Sequence, residues 1–99
     1  MAFEIDEKTK KKIIDLISIL IPEAKIYLYG SRARGTNAEW SGIDIALDAG
    51  EGLSRHAVCE VRDIMEATNI PYIVDVIDIY WEPELMRAAI MKEKIIWKH

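Results

Sequence analysis

The sequence predicts a small α/β domain of the α+β kind, a mixed β-sheet with helices packed on one side of it. Three observations lead there. At 99 residues the chain is long enough for one domain and one core. Its composition, 51% hydrophobic and 30% charged, is that of a folding chain rather than a disordered one. Apolar residues recur at helical spacing in some stretches and alternate in others, without the strict strand-then-helix repeat of a doubly wound sheet.

The elements follow in order. Asp6 is placed to cap a helix that runs to Ile21, with Ile13, Leu16, Ile17 and Leu20 on one face and Pro22 closing it. Residues 24–29 alternate around Ile26 and Leu28 and run into Gly30, which reads as a strand ending in a tight turn. Residues 43–47 set Ile43, Ile45 and Leu47 on one strand face and positions 42, 44 and 46 on the other. Ser54 is placed to cap a second helix whose Ala57, Val58, Val61, Ile64, Met65 and Thr68 form a stripe that stops near Asn69. Residues 70–79, rich in Ile and Val, read as a third strand containing Asp75 and Asp78, with Pro71 at its beginning. Pro83 suits the first turn of a last helix, expected to carry Leu85, Met86, Ala89 and Ile90 inward until about Lys94, before a short strand at 95–97. The tryptophans Trp40, Trp81 and Trp97 are expected in core or edge packing.

Thirteen Lys and Arg against seventeen Asp and Glu leave a net charge of −4, a poor balance for binding a phosphate backbone, so no direct nucleic-acid partner is expected. The apolar run at 13–21 is broken by Asp15 and Ser18 and falls short of the roughly 20 residues a bilayer span needs. Cys59, the single cysteine, has no internal disulfide partner. A cytoplasmic protein with residues 1–99 forming one domain is the expectation.

The chemistry concentrates in Tyr29-Gly30-Ser31-Arg32-Ala33-Arg34-Gly35-Thr36 and in Ser41-Gly42-Ile43-Asp44-Ile45-Ala46-Leu47. Gly30 lets backbone approach a ligand closely, Ser31 adds a hydroxyl, and a helix beginning there aims free N–H groups at an anion. Arg32 and Arg34 are suited to charge-assisted bonds with phosphate oxygens. Asp44 stands on the polar face of an otherwise apolar strand, and Asp75 interrupts the Val74-Asp75-Val76 run of another. Burying an ionised carboxylate costs several kcal/mol unless it is paired or holds a cation. Two readings meet that cost: a shared metal site, or strand-end carboxylates paired with Arg32 and Arg34.

Gly30-Ser31, ten intervening residues, then Gly42-Ile43-Asp44 resembles the signature of the minimal nucleotidyltransferases of the DNA polymerase beta superfamily, and the order of the remaining elements is similar over nearly the whole chain. The resemblance implies a small mixed sheet with packed helices. It also implies nucleotide binding at Gly30, Ser31, Arg32 and Arg34, and catalytic carboxylates at Asp44 and Asp75 that hold Mg²⁺ in a two-metal site, with Asp78 a weaker third candidate of opposite strand parity. One position departs from the pattern: Gly42 stands where the family's first Asp of an Asp-x-Asp pair is expected. Glycine inside a strand is unfavourable by roughly 0.5–1 kcal/mol, so Gly42 reads as a replaced Asp, with a glycine bulge as the competing account.

Stand-alone members of this size resemble the antitoxin half of a toxin–antitoxin pair that transfers AMP from ATP to a tyrosine of a helical HEPN ribonuclease toxin. That resemblance implies ATP as donor, a HEPN partner in a hetero-oligomer, and activity impaired by Gly42. A pseudoenzyme that neutralises its partner by binding, and nucleotidyl transfer to a small molecule, are the alternatives.

Overall fold

The computed structural model describes residues 4–99. Helix α1 (Glu7–Leu20) starts where Asp6 accepts the Thr9 backbone N–H at 3.1 Å, as its capping position predicts. Strand β1 (Lys25–Tyr29), the single-turn helix α2 (Ser31–Arg34) and strand β2 (Ile43–Asp48) follow. Helix α3 (Arg55–Ala67), strand β3 (Val74–Asp78), a 3₁₀ turn (Ile79–Trp81), helix α4 (Glu84–Glu93) and strand β4 (Ile95–Lys98) complete the chain. Among the described residues no helix is long and apolar enough to cross a membrane.

The strands form one sheet in the order β3-β2-β1-β4. β1 pairs antiparallel with both β2 and β4, whereas β2 and β3, joined through α3, are parallel. Strand alternation divides the side chains into two cores. Ile26, Leu28, Ile43, Ile45, Leu47 and Val76 face α1 and α3, meeting Ile13, Ile17, Val61 and Met65. Tyr27, Tyr29 and Ala46 face the other way, with Ile79, Ile90 and Ile77. Helical cover therefore lies on both faces, correcting the one-sided arrangement expected from sequence: β1 and β2 each carry buried side chains on both faces.

Two further expectations change. The third strand is shorter than 70–79, because residues 70–73 lie outside the ladder and Ile79 opens the 3₁₀ turn. Pro71 thus lies outside the strand. In α4 only Ile90 is buried; Leu85 is 87% exposed, and Met86 and Ala89 face solvent as well. Trp97 packs against the larger core, as expected, and Lys10 lies over its ring, whereas Trp40 and Trp81 are 87% and 50% exposed. At the outer edge of the sheet, Arg62 of α3 donates through Nε to the Val76 carbonyl of β3 at 2.8 Å.

Candidate active site

The site lies at one end of the smaller face, where β1 stops and β2 begins. Parallel register sets Asp44 beside Asp75, and antiparallel register sets Tyr29 beside Asp44. One residue later the backbone of Gly30 turns at φ +76°, a conformation that disfavours any side chain. A Cβ there would overlap the carboxylate of Asp44, so glycine is what lets Asp44 lie against the turn. Gly30 then leads into α2, whose first residue, Ser31, is half-buried.

The two arginines of the turn have separate positions. Arg32 is buried and donates to the carbonyls of Ser41, at 2.8 and 3.2 Å, and of Glu39, at 3.3 Å, with its guanidinium 5.0 Å from the Tyr72 ring centre. It braces the segment that delivers residues 39–41 to β2. Arg34 is more exposed and pairs with Glu93, the last residue of α4, at 3.0 Å. The same Glu93 oxygen accepts the Gly30 N–H at 2.7 Å. Of the two pairings open from sequence, neither arginine forms a salt bridge with Asp44 or Asp75.

The electrostatics match that geometry. Burial holds the Asp44 carboxyl above the ordinary carboxylate range, and Asp75 and Glu93 push in the same direction against the opposing charge of Arg34. Burial, then Asp44, Asp75 and Glu82, raise the Tyr29 phenol, which stays protonated. Two carboxylates side by side, one carrying a raised pKa, suit a cation that relieves their repulsion. Among the described residues no three His, Cys, Asp or Glu side chains gather at metal-binding separation. Gly42 lies one residue before β2, opposite Ile73, and supplies no ligand. It is not inside a strand, and a Cβ added there would stand 3.1 Å from the Ile73 carbonyl oxygen, which already accepts the Ile43 N–H at 2.8 Å.

Residues 6–99 match the family model described as polymerase beta, nucleotidyltransferase. The chain belongs to this nucleotidyltransferase family. Over 95 residues it is 24% identical to the Haemophilus influenzae protein described as a probable protein adenylyltransferase, MntA, across 94% of this chain and 83% of that protein. The fold also matches a crystal structure of a toxin–antitoxin complex with AMP-PNP at a TM-score of 0.75 and 29% identity, covering 89% of this chain and 71% of that one. A tri-AMPylated Shewanella oneidensis HEPN toxin in complex with MNT antitoxin gives a TM-score of 0.71 and 25% identity, covering 92% and 70%. This nucleotidyltransferase is thus similar to MNT antitoxins crystallised with their toxins.

Of the residues singled out from sequence, Gly30, Ser31, Arg34, Asp44 and Asp75 come together at one end of the sheet, with Arg32 buried in the same turn. Asp78 lies elsewhere: it is buried and accepts the N–H groups of Leu53 and Tyr80, capping the 3₁₀ turn. Two neighbours of the site were missed. Tyr29 stands in sequence directly before the Gly30 turn, but its place beside Asp44 comes from the antiparallel register of β1 and β2. Glu93 was not legible, because its contact with Gly30 joins residues 63 apart in sequence.

Proposed function

We propose that this nucleotidyltransferase transfers AMP from ATP to a tyrosine hydroxyl of a HEPN-type toxin, and that Gly42 impairs the transfer. The observation that carries the reading is the register that sets Asp44 beside Asp75, next to the Gly30 turn. Asp44 and Asp75 would hold Mg²⁺, which supplies neutralisation of charge developing on the phosphates when bound. Gly30 and Ser31 would cradle the β- and γ-phosphates, with Arg34 adding a charge-assisted bond. Arg32, engaged on the Glu39 and Ser41 carbonyls, would act by fixing the turn rather than by touching phosphate. The acceptor oxygen would attack the α-phosphorus as the bond to the β-phosphate breaks, with pyrophosphate leaving and the hydroxyl proton passing to solvent water. The similarity to antitoxins crystallised with HEPN toxins supports the partner.

Transfer of ³²P-labelled AMP from ATP with Mg²⁺ to the cognate helical partner tests the reading, comparing the natural chain with Gly42→Asp. The Ile73 carbonyl must yield by a few tenths of an ångström for the new side chain. Restoring a shared metal ligand is expected to raise the labelling rate, on the order of tenfold or more. Equal labelling by both chains would show that Asp44 and Asp75 suffice. Gly42 favours one second reading, neutralisation by binding alone: labelling by neither chain, with the partner still inhibited, establishes it in place of transfer.

A further inference from the structure

We propose that Glu93 is a built-in competitor of the nucleotide's phosphates, a carboxylate that occupies the Gly30 and Arg34 donors until ATP displaces it. This rests on the reading of Gly30 and Arg34 as phosphate-binding groups. The geometry is specific: a single Glu93 oxygen accepts the Gly30 backbone N–H at 2.7 Å and Arg34 Nη1 at 3.0 Å. A backbone amide and a guanidinium converging on one anionic oxygen is the donor set that a phosphate oxygen also takes. Glu93 is the last residue of α4 and its side chain is 23% exposed, so solvent already reaches it.

The arrangement is electrostatically loaded. Glu93 repels Asp44, which lies against the same glycine, and Arg34 attracts both. A triphosphate carries more negative charge than one carboxylate and brings its own cation, so it outcompetes Glu93 for both donors and leaves the Glu93 side chain free to turn toward water. An occupied binding site lowers apparent affinity by the fraction of molecules in which it is closed. Glu93 therefore weakens nucleotide binding without touching the nucleotide, and ties the end of α4 to whether nucleotide is bound.

Equilibrium binding of AMP-PNP with Mg²⁺, measured on the full chain by calorimetry, tests this with three variants. Glu93→Gln removes the charge at nearly constant shape. Glu93→Asp keeps the charge but shortens the reach by one methylene. Glu23→Gln removes the same charge before the opposite end of β1. Both Glu93 variants are expected to tighten binding, on the order of threefold to tenfold, while Glu23→Gln does not. A Kd for Glu93→Gln equal to or weaker than that of the natural chain overturns the proposal and leaves the nucleotide site standing. Equal tightening by Glu93→Gln and Glu23→Gln also overturns it, since the effect is then one of overall charge. Absence of binding by every chain overturns the proposal together with the nucleotide reading. Should Glu93→Gln fold poorly, Glu93→Asp against the natural chain decides by the same criterion.

Discussion

Gly30 carries two constraints at once: a φ of +76°, and the Asp44 carboxylate in the space a Cβ would take. Gly30→Ala is therefore expected to cost about 2 kcal/mol in urea unfolding, from backbone strain and from displacing Asp44. Asp44 shows the opposite balance between stability and chemistry. Its carboxyl is held above the ordinary range by burial and by Asp75, so ionising it destabilises the folded chain. Asp44→Asn is expected to raise Tm by a few degrees at neutral pH. That gain should fade as pH falls from the raised value toward the ordinary one, and vanish below it, where the carboxyl is protonated in folded and unfolded chains alike. Differential scanning calorimetry across pH reads the trend, and in the same scans the variant should lose any rise in Tm that Mg²⁺ gives the natural chain. Asp44 and Asp75 were legible because a charge on an apolar strand is conspicuous in sequence; the role of Arg32 was not, because its carbonyl partners depend on the path of residues 39–41.

Helix boundaries were the most legible elements, since caps act locally. Ser54 accepts the Ala57 N–H at 3.1 Å and opens α3 where expected. Ser54→Ala should cost about 1 kcal/mol, read as a lower denaturation midpoint with an unchanged m-value. Helix α4 shows what periodicity leaves undetermined. Its apolar residues fall at helical spacing, yet only Ile90 meets the sheet, and Leu85 and Met86 remain in solvent. Spacing indicates that a face exists; how far the helix lies along the sheet depends on the 3₁₀ turn before it, which Asp78 caps through Tyr80. The third strand is shorter than its composition suggests for a related reason: Ile70, Tyr72 and Ile73 suit strands, but the ladder with β2 begins at Val74.

Across the whole molecule, the central strands β1 and β2 hold both cores together. Ile45 is fully buried between β1 and β3 on the α1/α3 face. Ile45→Ala should cost roughly 3 kcal/mol, checked by chemical denaturation, because rigid neighbours on two strands limit collapse into the cavity. The mixed sheet was legible from alternation, but its strand order was not. β4 reaches β1 across the rest of the chain, pairing Ile26 with Lys98, a long-range closure that no local pattern encodes. The bond from Arg62 to the Val76 carbonyl has a consequence beyond the fold it helps to hold. β3 ends the sheet, and an open edge is a template on which a second chain can add a strand. With that carbonyl already bonded and a cation standing over the edge, an approaching strand loses one acceptor and meets a charge it must strip of water. In Arg62 the molecule thus carries a guard against strand addition at its β3 edge.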